Sequence, residues 1–190
     1  MPNSLQVIEC RKTVEIDGNQ YQINNSHKVY IVALKIIRSD KIFDDDKVEA
    51  VLPILYAEPI PEGLEQKAVL AFFGAFSDGK KSTVRPSFDV VADLEYIYAG
   101  FLQTYGIDLD GNDLSIEKFV ALLKGLPSNT KLADIIKIRT MEIPKPTKYN
   151  AKQIADIMRM KQEFALDKGN TAKSMKTLGN TIKEWAEHGR

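Results

Sequence analysis

One cysteine, one tryptophan and two histidines are all that the 190 residues hold of those types. With Cys10 alone, no disulfide can close within the chain and no multi-cysteine metal site can form. His27 and His188 sit in neither a metal-ligand nor a nucleophile spacing, and each reads as a surface or capping residue. The glycines make no G-x-G-x-x-G and no phosphate loop, so nucleotide binding has no support. No apolar run approaches the roughly eighteen residues of a membrane span, and MPNSLQVIECRK at the start lacks the basic-then-apolar order of a leader. The expectation is a soluble chain without cofactor that is not exported. Net charge is absent too: 26 basic side chains balance 26 acidic ones, so nothing draws the whole molecule to nucleic acid or an anionic membrane. The balance is local, however. Residues 145–190 carry ten basic against five acidic side chains, leaving sixteen against twenty-one before them. An excess of five positive charges over that length predicts only weak, salt-sensitive nucleic-acid binding.

What is present is apolar periodicity, since 44% of the residues are hydrophobic and they recur at helical spacing. Val90, Leu94, Ile97, Tyr98, Phe101, Leu102 and Tyr105 form one broad stripe, closed by Gly106 as a left-handed stop. A second helix restarts near Asp113 or Ser115, buries Phe119, Leu122, Leu123 and Leu126, and is closed by Gly125 and Pro127 in the same way. Earlier, Val14 and Ile16 alternate before Asp17-Gly18, with Tyr21 and Ile23 after it, which predicts a hairpin that must lie on helices. Asn24, Asn25 and Ser26 offer caps to a helix carrying Val29, Tyr30, Ala33, Leu34 and Ile37. The acidic run at 44–46 suits a helix start, followed by Val48, Val51, Leu52 and Leu55, with Pro53 kinking or shortening that helix. Leu64, Ala68, Val69, Phe72, Phe73 and Phe76 mark a further helix, and residues 77–87 read as an exposed loop. Leu132, Ile135, Ile136 and Arg139 share a helix at about residues 129–139.

The fold expected is mainly α with a small N-terminal β-hairpin, an α+β arrangement. Its compact hairpin-plus-helix domain spans residues 5–140. Pro144 and Pro146 make residues 141–149 an extended linker, freeing a helical extension at 150–190 to move relative to the body. That extension carries Ile154, Ile157, Met158 and Phe164 on one helix and Met175, Leu178, Ile182 and Trp185 on another. Helix-in-groove contacts use the second kind of anchor spacing, so these last four are the candidate partner-binding residues. Among the dense aromatics Phe72, Phe73, Phe76, Tyr96, Tyr98, Phe101 and Tyr105, most belong in the core and one or two can face a partner.

Two acidic patterns invite a chemical reading. A twelve-residue frame from Gly106 places Asp108, Asp110, Gly111 and Glu117 as in a calcium loop. Gly106 lacks the first carboxylate and Asp113 stands where an apolar residue belongs, so the loop reads as a solvated turn with a helix cap. Asp89, Asp93 and Glu95 read as compensation of a helix dipole, because no histidine lies near them for acid/base work. Lys80, Lys81 and Arg85 read as a solvated basic loop. No catalytic, cofactor or metal site is expected.

VEIDGNQYQI at 14–23, YIYAGFLQTYGIDL at 96–109, FVALLKGLP at 119–127 and IIKIRT at 135–140 resemble, in this order, the phage gene-product-fifteen family of tail proteins of long-tailed phages. The likeness runs over about residues 14–166; Ile116 and Glu117 depart from the aromatic residues usual before the Phe119 position. The resemblance implies a non-enzymatic tail-assembly chaperone in the host bacterial cytoplasm. Such a protein binds the tape-measure protein before the tail tube closes around it. The alternative is a structural component retained in the virion. A partner that long also favours self-association.

If the terminal stripe is a partner anchor, Trp185→Ala should weaken co-purification with the tape-measure protein by about 2 kcal/mol or more while leaving thermal unfolding of the body unchanged. A melting temperature lowered by several degrees with normal binding would assign Trp185 to the core instead.

Overall fold

Asp17 and Gly18 both adopt positive φ, 48° and 82°, the pair of angles that a tight hairpin between right-twisted strands requires. The strands they join, β1 (Thr13–Ile16) and β2 (Asn19–Gln22), are antiparallel with Ile16 opposite Asn19. The computed structural model describes residues 8–77 and 87–166, and beyond this hairpin the described residues are mostly helical. The helices are α1 (His27–Ile37), α2 (Asp44–Leu55), α3 (Glu65–Ala75), α4 (Leu94–Tyr105), α5 (Ile116–Lys124), α6 (Lys131–Thr140) and α7 (Ala151–Glu163).

The alternation of β1 buries Val14 and Ile16 and leaves Thr13 and Glu15 in solvent. Val14 and Ile16 join Val51, Leu55, Val69 and Phe72 in a core beneath the hairpin. A second core collects Ile97, Phe101, Leu109, Phe119 and Leu132. Two helices serve both: α1 sends Ala33 to the first and Ile31 to the second, and α5 sends Ile116 to the first and Phe119 to the second. Within the second core Phe119 lies between the rings of His27 and Phe101, each 5.4 Å away centre to centre and nearly parallel to it.

Several expectations change. The helix expected from Val90 to Tyr105 begins at Leu94, four residues after Val90, because Asp89 and Asp93 organise a hydrogen-bonded turn ahead of it. Leu102, assigned to the buried stripe, is 48% exposed. Gly106 closes α4 at φ 65° as expected, but Gly125 after α5 is right-handed. Its lack of a Cβ serves packing: one placed there would stand 3.0 Å from the Tyr105 hydroxyl, which donates to the Leu122 carbonyl. α2 runs through Pro53 to Leu55, so the proline neither ends nor shortens it there; it stands exposed on the solvent side. His27 is neither a surface residue nor a cap, being 1% exposed.

The largest departure is at Asp89 and Asp93, which are 5% and 1% exposed and do not face a solvated helix start. Ionised carboxylates at such depth need cations, since unpaired burial costs several kcal/mol. Arg38, just past α1, reaches Asp89, while Arg139 on α6 grips Asp93 through both terminal nitrogens at 2.6 and 2.7 Å. Main-chain donors add to these pairs: the remaining Asp89 oxygen, Oδ1, takes the amides of Val91 and Ala92, and Asp93 Oδ2, which also accepts from Arg139, takes the amide of Asp89.

Arg139 also ties down the chain beyond the two prolines. Residues 141–149 form no helix or strand, and after them α7 returns to pack against α6. Arg139 Nε donates to the Phe164 carbonyl, and Lys161 Nζ donates to the carbonyls of Arg139 and Met141, both at 2.6 Å. A cation belongs at that end of α6, where the helix carbonyls converge. Ile157 is the buried anchor of α7, whereas Met158, counted in its apolar face, is 54% exposed.

Arg139→Met should therefore lower unfolding free energy by about 3–5 kcal/mol, the usual cost of leaving one partner of a buried pair alone. Urea denaturation measures it, and a loss under about 1 kcal/mol would mean the pair behaves as a surface salt bridge.

Candidate partner-binding surfaces

The loop from Gly106 to α5 shows how its acids are used. Asp108 Oδ1 accepts the amides of Asp110 and Gly111 and the Tyr98 hydroxyl, and these bonds hold the carboxyl below its ordinary pKa. The same bond to Asp108 pushes the Tyr98 hydroxyl up. Asp113 accepts the Ser26 hydroxyl at 2.5 Å, and Ser115 caps α5 by accepting the Lys118 amide. Glu117 reaches back to the hairpin, taking the Arg11 amide on one oxygen and the Asn25 side-chain amide on the other, both at 2.8 Å. Asn25 completes the tie by accepting the Ile116 amide. His27 lies under the loop, its Nδ1 3.2 Å from the Leu114 amide nitrogen and its Nε2 3.2 Å from the Leu109 carbonyl. Within the calcium-like frame Asp108 thus fastens its own turn to α4 and Glu117 fastens α5 to the segments flanking the hairpin, while Asp110 is exposed. Among the described residues no group of three or more His, Cys, Asp or Glu is placed to hold a metal ion.

An open surface lies beside α2. A groove of about 620 Å³ runs along α2 and the segment after it, with Val48, Leu52, Pro53, Tyr56 and Ile60 on its apolar floor and walls. Glu49, Glu58 and Glu65 are the charged residues lining it. At Val48 and Glu65 it meets a second hollow of about 370 Å³, lined also by Gly63 and Gln66. The floor is firm: Tyr56 is buried, its hydroxyl donates to the Ala68 carbonyl at 2.7 Å, and burial raises its pKa. The amide of Ala57 bonds the Gln22 carbonyl and that of Asn24 bonds the Leu55 carbonyl, fixing the chain after α2 to the hairpin.

Of the residues singled out from sequence, Met175, Leu178, Ile182 and Trp185 lie outside the described residues, as do His188, Lys80, Lys81 and Arg85. None of the seven dense aromatics is exposed: Phe72 and Phe101 are fully buried and the other five are half-buried. The exposed apolar side chains are others, Phe43 at 82% and Tyr149 at 91% foremost. Sequence reading missed the groove because Val48 and Leu52 fit equally well into a buried stripe. The one available signal was charge, since residues 42–66 hold seven acidic side chains and only one basic.

A family model described as Bacteriophage Gp15 protein matches residues 8–166, a span that takes in the hairpin and all seven helices. No curated protein and no solved structure matches the chain.

Glu117 generates a pH prediction. Partial burial alone would raise its carboxyl, but the Arg11 amide, the Asn25 side chain, its own amide and Ser115 together hold it below the ordinary 4.5. A group depressed on folding contributes stability above its unfolded pKa and loses it as pH falls through the folded value. Glu117→Gln should therefore be less stable at neutral pH and decline less steeply below about pH 4.5. Urea midpoints across that range read the difference. Parallel declines for the two proteins would show that the Glu117 bonds contribute nothing.

Proposed function

The chain belongs to the Bacteriophage Gp15 protein family, which makes it a phage structural or morphogenesis protein, and from that premise we propose that it is a tail-assembly chaperone for the tape-measure protein. The match over most of the chain carries this reading. Its task is to cover apolar faces of a long helical partner until the tail tube polymerises around it, then to release them. Binding energy suffices for that, and the protein acts without catalysis or cofactor. The residue chemistry is compatible with the role. Buried or half-buried acids at 89, 93, 108 and 117 hold elements of the fold together, and the apolar groove beside α2 is open to a second chain. Several copies would line up along one partner, gaining from multivalency.

Co-expression with the tape-measure protein of the same phage should yield a soluble complex, and the chain should be missing from purified virions. Light scattering of the isolated chain at tens of micromolar should give a mass above the 21.4 kDa of one copy. A tape-measure protein that stays insoluble with the chain present, together with stoichiometric chain in virions, would establish the retained structural component instead.

A further inference from the structure

Along the α2 groove Val48 and Leu52 stand one turn apart at i and i+4, and Tyr56 follows just past the helix end, where the backbone is extended. Such an i, i+4 row is the surface into which the ridge of a second helix packs. The surroundings of the row have one sign. Glu49, Glu58 and Glu65 line the groove, and the nearby cations are engaged elsewhere: Lys47 Nζ is 2.6 Å from Asp44 and Lys67 Nζ is 2.6 Å from Asp17. Two main-chain features add to the negative potential. α2 has no basic residue in its last turn, so the carbonyl end of its dipole is uncompensated. Pro53, which also lines the groove, has no N–H, so the Glu49 carbonyl receives no helical bond from that position.

We infer that this groove is the docking site for an amphipathic helix whose apolar face is flanked by lysine or arginine. Leu52, Pro53 and Ile60 supply the apolar surface that a partner would cover, and the three glutamates select the charge of the rim, so an acidic helix with the same apolar face is rejected by like-charge repulsion. The inference rests on the proposed function for the partner's identity and adds the surface and the chemistry by which that partner is held. It predicts that the bound segment of the tape-measure protein is a basic amphipathic stretch.

The test uses the full chain and two labelled synthetic helices of about five turns, each with a leucine face, one flanked by lysines and one by glutamates. Fluorescence anisotropy should show the lysine peptide binding at least about tenfold more tightly than the glutamate peptide, with the gap narrowing as salt rises. The double variant Glu49→Lys/Glu58→Lys, at two exposed positions, should reverse that preference without lowering the melting temperature, while Glu95→Lys, exposed on α4, should leave it intact. Equal affinity for both peptides, or a preference unmoved in the double variant, overturns the inference. So does tighter lysine-peptide binding in Trp185→Ala, which would make the chain's own C-terminal stripe the occupant. Loss of self-association in the double variant with peptide selectivity unchanged would install a second copy there and also overturns it. Pull-down of the tape-measure protein separates the two levels. If the wild-type chain captures it and the double variant captures it equally well, the groove is wrong and the function stands. If the wild-type chain fails, the function itself is wrong.

Discussion

Two carboxylates with almost no access to water, Asp89 and Asp93, set the terms for the rest of the structure. Each must keep a cation, and the two cations come from different elements: Arg38 from the end of α1 and Arg139 from α6. Since α1 also lends side chains to both cores, the arginine at its end links the hairpin side of the molecule to the turn that opens α4. Arg139 then spends its remaining donors on the carbonyls of Ser87 and Phe164, which orders the approach to α4 and the return of α7. A buried pair of this kind gives little net stability over an apolar replacement, but removing one member is costly. Its effect is to fix which elements meet.

The parts of the fold legible in sequence are those whose cause is local. Asp17-Gly18 dictates a hairpin wherever it stands between alternating residues, and Ser26, Ser115 and Thr130 cap the helices they precede by accepting their amides. Gly106 stops α4 for the same kind of reason. Asp89 and Asp93 escape a sequence reading because a carboxylate at a helix start looks alike in sequence whether it faces water or an arginine. Here the arginines are 51 and 46 positions away. His27 is similar, its partners being main-chain groups of a loop more than eighty residues on. Leu102 and Met158 show the limit of periodicity, which gives the direction of an apolar face but not how far the neighbouring element covers it. The hold of Lys161 on the end of α6 has no sequence signal at all.

This division has a bearing on function. The acidic loop and the acids before α4 are the features that draw the eye in sequence, and of these Asp89, Asp93, Asp108 and Glu117 are engaged in internal bonds. Among the described residues, one surface with chemistry left open is the groove beside α2, where apolar side chains are rimmed by carboxylates. A binding protein needs such a division between polar groups that hold its shape and a surface whose burial awaits a partner.

Hydrogen exchange of the chain alone and in complex with the tape-measure protein tests this division most directly. Partner binding on the groove should slow exchange at the end of α2 and through residues 56–65, and leave residues 106–117 unchanged, since their bonds are already made within the chain. New protection confined to residues 106–117, with the α2 groove unaffected, would contradict the account.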